Sequence, residues 1–162
     1  MSLSKLDNLY RAVILDHSAH PRHAGQLATG CQVDLNNPTC GDVIRLTVEF
    51  SEDKIKDIAF SGHGCTISTA SASMMTEIVI GKSKAEALDL AHIFSDMVTG
   101  QEDDRQELLG DAQFLVGVSK FPARVKCSTL AWNALKKALD DDQEKAEAVV
   151  RADHKKRKRT ER

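Results

Sequence analysis

Cys31-Gln32-Val33-Asp34-Leu35-Asn36-Asn37-Pro38-Thr39-Cys40-Gly41-Asp42-Val43-Ile44-Arg45-Leu46-Thr47-Val48-Glu49-Phe50 is the stretch that decides the fold. Cys31, Val33 and Leu35 alternate with polar residues, and Ile44, Leu46, Val48 and Phe50 alternate with Arg45, Thr47 and Glu49. A period of two marks half-buried strands. A third apolar run, residues 55–60, follows the short polar link 51–54, whose length suits a hairpin. The three runs predict an antiparallel meander.

Outward from this centre the period changes to that of helices. Leu6, Leu9, Tyr10, Val13 and Ile14 predict an amphipathic helix over residues 5–16, followed by a loop over 17–30 that contains Pro21 and Gly25. After Gly62-His63-Gly64, residues 65–80 are rich in small side chains and predict a tightly packed helix ending near Gly81. Ser83 with Glu86 three positions on is a capping box, and the helix it opens runs to about Gly100. Residues 101–118 have no single period and read as an irregular insert with one or two short helical pieces. Pro122 suits the first turn of a last helix that buries Leu130, Ala131, Ala134, Leu135, Ala138 and Leu139, and the acidic run 140–142 is its expected end. The expected fold is α+β, a three-stranded antiparallel sheet with helices packed on it, in one domain over 1–142. A basic, disordered tail is expected over 143–162.

The 162 residues suffice for one hydrophobic core, and 41% hydrophobic with 28% charged residues fits an ordinary globular chain. No run approaches the ~18 apolar residues of a membrane span. Residues 1–10 lack the basic start and apolar block of a secretory signal, so the expected location is the cytoplasm. Residues 1–142 carry 14 Lys and Arg against 20 Asp and Glu, whereas 143–162 carry 8 against 4. An acidic body argues against nucleic acid as a partner, because phosphate binding needs a basic face on the folded part.

The four cysteines, Cys31, Cys40, Cys65 and Cys127, point to metal binding or catalysis rather than disulfides in a reducing compartment. Cys40 and Asp42 flank Gly41 in a turn expected to be exposed, and a thiolate and a carboxylate there can face one ion. The alternative is a turn whose Asp42 only bonds backbone. Cys65 opens a helix, and Cys127 falls in the first turns of another beside Arg124 and Lys126; each placement favours the thiolate. Either cysteine can equally be a buried small hydrophobe, and the spacings match no compact zinc finger. Cys31 shares a strand face with Val33 and Leu35 and reads as a core residue. His63 stands near Cys65 but reads as an exposed loop residue, and His17, His20 and His23 recur every three residues in the predicted loop.

Three motifs in order carry a resemblance: Asn37-Pro38-x-Cys40-Gly41-Asp42, Gly62-x-Gly64-Cys65-x-Ile67-Ser68 and Pro122-Ala123-Arg124-x-x-Cys127-x-x-Leu130-x-Trp132. Over residues 3–139 the chain resembles the U-type iron–sulfur assembly proteins of the IscU/NifU N-terminal superfamily, and within them the SufU type. The resemblance implies an IscU/SufU-like fold, zinc held by Cys40, Asp42, Cys65 and Cys127, and Cys40 as the residue that receives sulfur. It implies a cysteine desulfurase of the SufS type as partner, beside other iron–sulfur assembly proteins. Lys126 stands where the scaffold branch has His, residues 121–126 replace its chaperone-binding Leu-Pro-Pro-Val-Lys, and the insert is absent from that branch. All three features favour the SufU type.

The expected activity is therefore zinc-dependent sulfur transfer, with a persulfide accepted from the desulfurase. One alternative is a scaffold on which an iron–sulfur cluster is assembled between the same cysteines, since three thiolates and one other ligand suit either metal group. A structural zinc module is another, disfavoured because such sites are commonly closed and cysteine-rich.

Overall fold

The alternating runs form β1 (Cys31–Asn37), β2 (Asp42–Ser51) and β3 (Lys54–His63), antiparallel and in the order β1-β2-β3. This computed structural model describes residues 3–39 and 41–160; Cys40 lies outside the described residues. Register follows the apolar pattern, with Val33 opposite Leu46 and Leu46 opposite Phe60. Leu46, Val48 and Ile55 are fully buried, each contributing about 1.5–3 kcal/mol of transfer free energy. The second face of the sheet is covered in part, around Thr47 and Ala59, while Asp34, Val43 and Arg45 on it are exposed. Thr47, at an expected polar position, is 3% exposed and its hydroxyl accepts the Leu27 N–H at 3.1 Å. The segment after the first helix runs beside β3, exchanging the Gly25 N–H and Phe60 N–H bonds at 2.8 and 3.0 Å.

Around the sheet lie α1 (Leu3–Ala19), α2 (Thr66–Val79), α3 (Lys84–Val98) and α4 (Pro122–Thr160). Helix α4 packs on β1 and β2, and α2 packs on β3, α1 and α4. The small residues of α2 permit this central position: Ala70, Ser71, Ala72 and Ser73 are all buried. Two hydrogen bonds tie α2 to α4, from Ser71 Oγ to the Ser128 carbonyl at 2.6 Å and from Trp132 Nε1 to Ser71 Oγ at 3.1 Å. Trp132 also stacks on Phe94 of α3 with centroids 4.6 Å apart. The expected capping box is present, Ser83 Oγ accepting the Glu86 N–H at 3.1 Å.

The insert forms a 3-10 segment, Gln106–Lys120, broken at Gly110 (φ 53, ψ −130). Two boundaries differ from the sequence reading. Helix α1 continues beyond residue 16 because the His17 ring is buried, its Nδ1 2.8 Å from Ser73 Oγ and its Nε2 2.9 Å from Asp111 Oδ2. Helix α4 does not stop at 140–142 but runs to Thr160. Its apolar period fades there, yet residues 123–160 contain no Gly or Pro, and Ala, Glu, Lys and Arg are strong helix formers. Among the described residues, no helix is long and apolar enough to cross a membrane.

Candidate metal centre

Asp42, Cys65 and Cys127 come from three separate elements and meet where β2 begins and α2 and α4 open. Each offers one ligand atom, and these atoms lie within 4.8 Å of one another. Asp42 is the first residue of β2 and only 3% exposed, so the expected exposed turn is corrected at this position. The covering partner is the helix start: Asp42 Oδ1 accepts the Cys65 N–H at 3.1 Å, and Oδ2 is 4.0 Å from Cys65 Sγ. Cys65 is the N-cap of α2, its sulfur accepting the Ser68 N–H at 3.4 Å. Cys127 is fully buried, with Sγ 3.7 Å from the Ala123 carbonyl one turn earlier in α4.

Two glycines make this convergence possible. A Cβ on Gly62 (φ +135) would stand 2.1 Å from the Val43 carbonyl oxygen, so β3 approaches β2 this closely only without a side chain. A Cβ on Gly64 would stand 2.0 Å from Ser68 Oγ and 3.6 Å from Asp42 Oδ1. Gly64 therefore keeps open the space in which Ser68, Cys65 and Asp42 meet.

Burial pushes the Cys65 thiol up, but the N–H and hydroxyl of Ser68 and the Cys127 thiol more than offset it, and the net shift is downward despite the Asp42 charge. Cys31 behaves oppositely: burial raises its pKa, Lys145 opposing and Asp141 and Asp142 adding to the rise. Cys31 lies on β1 with Sγ 4.0 Å from the Ala138 carbonyl, remote from the cluster, as its strand-face position predicts.

The donor set suits a small, borderline-soft cation. Ligand atoms on one tetrahedral zinc, at bonds of ~2.0–2.3 Å, stand about 3.3–3.8 Å apart, so a 4.8 Å spread closes with a shift of about 1 Å. One carboxylate oxygen and two sulfurs are donor atoms that zinc accepts together. A further buried group is Asn37, 6% exposed and the cross-strand partner of Asp42, so both side chains lie on the same face of the sheet. Asn37 Oδ1 accepts the Thr39 N–H at 3.2 Å and its carbonyl accepts the Gly41 N–H at 2.8 Å, closing the turn that carries Cys40. Its Nδ2 has no hydrogen-bond partner among the described residues. Asn37 opens the first of the three sequence motifs, and its place before Pro38, where Asn side chains fold back on the turn, is the signal for this role.

Of the four expected ligands the structure brings together three, and Cys40 lies outside the described residues. His63 is exposed at the end of β3 and is not in the group. His17 and His23 bond Ser73, Asp111 and Thr76, and belong to no ligand group among the described residues.

Residues 9–128 match the model of the NifU-like N-terminal domain. The chain is 68% identical to the iron–sulfur cluster assembly scaffold protein IscU of Streptococcus pyogenes serotype M1, over 86% of this chain and 87% of that protein. It is 54% identical to the zinc-dependent sulfurtransferase SufU of Bacillus subtilis (strain 168), over 84% and 92%. A crystal structure from Fervidobacterium islandicum AW-1, described as an iron–sulfur cluster assembly scaffold protein for the SUF system, superposes with a TM-score of 0.75 at 38% identity, covering 78% of this chain and 93% of that one. With the three motifs, the three-stranded sheet and the Asp-Cys-Cys cluster in place, these likenesses assign the chain to the family of the NifU-like N-terminal domain.

Proposed function

We propose that this chain accepts sulfur from a cysteine desulfurase and passes it on for iron–sulfur cluster assembly in the cytoplasm, with Asp42, Cys65, Cys127 and Cys40 holding zinc and Cys40 receiving the sulfur. The observation that carries the reading is the cluster itself: Asp42, Cys65 and Cys127 converge within 4.8 Å, all three on regular elements or their caps. Cys40 stands in the sequence two residues before Asp42, between the residues that form β1 and β2. Zinc would keep its thiols deprotonated at neutral pH.

The transfer conserves atoms and electrons. The Cys40 thiolate attacks the terminal sulfur of the desulfurase persulfide, the S–S bond of the donor breaks, and the donor cysteine leaves as a thiolate. Cys40 then carries the persulfide, and no external oxidant or reductant takes part. The sequence also favours transfer over scaffolding: Lys126 offers an ammonium where an imidazole could bind metal, so this chain has one fewer nitrogen donor for a cluster.

The scaffold reading has its own support in the scaffold name of the Streptococcus pyogenes relative. The two differ in what the purified protein contains: colourless protein with one zinc supports sulfur transfer, and brown protein with iron and sulfide supports the scaffold. Mass spectrometry after brief incubation with desulfurase and cysteine tests the acceptor. An added mass of one sulfur is expected on Cys40; finding it on Cys65 or Cys127 instead overturns the assignment.

A further inference from the structure

The insert walls a groove beside the Asp42, Cys65 and Cys127 cluster. Tyr10 and Ile14 of α1, Ile67 at the start of α2, and Phe114 and Val118 of the 3-10 segment line a recess of about 1010 Å³ that reaches Cys65. At its edge Leu15 is 51% and Phe121 62% exposed. Large apolar side chains this exposed, gathered around one groove, mark an interaction surface rather than scattered surface residues.

The charge around the groove is one-sided. Arg11 and Arg124 line it and no carboxylate does, although the chain has 24 Asp and Glu. Neither arginine forms an ion pair among the described residues. The first turn of α4, which opens on the groove, contains no acidic residue, so its partial positive charge adds to that of the arginines, whereas at the start of α2 the Asp42 carboxylate already accepts the Cys65 N–H. An apolar floor under a positive rim, on an otherwise acidic body, is complementary to apolar side chains flanked by carboxylates. The other recess beside the cluster, about 240 Å³ and lined by Val43 and Gly64, has no lysine or arginine.

We infer that this groove docks an acidic segment with an apolar side chain at its tip, belonging to the cysteine desulfurase that delivers sulfur at the cluster. The identity of the partner rests on the sulfur-acceptor reading; the chemistry of the segment rests on the groove. A segment lying between α1 and the insert brings its protein against Cys65 and therefore within reach of the whole cluster. The insert supplies Phe114 and Val118 for this contact, which gives residues 106–120 a role in recognition.

Arg11 and Phe121 are exposed, so Arg11→Glu and Phe121→Ser leave the core intact, and Leu88→Ser, an exposed apolar position on α3 outside the groove, serves as control. The full chain is titrated against the cysteine desulfurase by isothermal calorimetry at about 0.01 and about 0.15 M salt, between which the Debye length falls from about 30 to about 8 Å. Zinc content is measured on every variant. Each groove variant is expected to weaken binding about tenfold, the loss of one anchoring contact. Arg11→Glu should also flatten the salt dependence, while Leu88→Ser binds as the parent does. If the parent binds and both groove variants bind equally well, the groove inference is overturned and the sulfur-acceptor reading stands. If the parent does not bind the desulfurase, the sulfur-acceptor reading fails and the proposed occupant with it. Binding of the parent to phosphatidylglycerol vesicles that Phe121→Ser abolishes, with desulfurase affinity unchanged, would assign the groove to a membrane surface and overturn it as well.

Discussion

Burial drives a thiol toward its neutral form, and Cys31 obeys. Cys65 does not, because Ser68 turns an N–H and a hydroxyl toward it at the opening of a helix. Cys31→Ser is accordingly expected to leave one zinc per chain, whereas Asp42→Ala and Cys127→Ser lower the zinc content measured by atomic absorption. Those two variants should also lose the rise in melting temperature on zinc addition, which for a metal at a hundredfold excess over its dissociation constant corresponds to about 2.7 kcal/mol. Gly64→Ala tests the packing behind the ligands. Its methyl group would stand 2.0 Å from Ser68 Oγ, so Ser68 must move, and a chelator competition should show zinc affinity reduced by about tenfold or more, the scale at which residues supporting metal ligands act. The strand face of Cys31 was legible in its alternation with Gln32 and Asp34. The burial of Asp42 was not: a carboxylate after glycine reads as an exposed turn until α2 and α4 are placed over it.

The elements owe their positions to a few specific contacts. Trp132 fills space against Phe94 and donates to Ser71, so Trp132→Phe keeps most of the volume and loses one hydrogen bond. A loss of about 0.5–1.5 kcal/mol in denaturant unfolding is expected, and Trp132→Ala should cost about 3–5 kcal/mol. The capping box at Ser83 and Glu86, the proline at the start of α4 and the alternation of Ile44, Leu46 and Val48 were readable because each is a local rule written in adjacent residues. Residues 101–118 were not assignable to one period for a physical reason: their apolar residues serve two surfaces. Leu109, Ala112 and Leu115 are buried in the core, while Phe114 lines the groove with α1.

At the scale of the molecule, α4 joins the folded body to its basic end. Lys84 pairs with Asp142, and Glu144, Lys145 and Ala148 line a recess with Cys31. Removing residues 143–162 is expected to leave zinc content and the unfolding midpoint close to those of the full chain. It should also quicken the reaction of Cys31 with a thiol reagent, because part of its cover is gone; mass spectrometry of the alkylated peptides measures this. A truncation that empties the zinc site would show that the part of α4 after residue 142 belongs to the domain. The end expected at 140–142 was misplaced because apolar period and helix propensity diverge there: burial stops while helix-forming residues continue.

The order in which the ligands are arranged along the chain has a consequence for biosynthesis. Asp42 and Cys65 are made early and Cys127 late, with α3 and the insert between them. At about 5–20 residues per second, the ribosome takes roughly 3–12 s to pass from Cys65 to Cys127. During that interval the nascent polypeptide holds an incomplete set of donors, which binds a passing cation more weakly than the finished one. With the proposed ligand set, metal capture would be deferred until nearly the whole domain has emerged, and an ion bound with full affinity would report a chain that has been completed and folded.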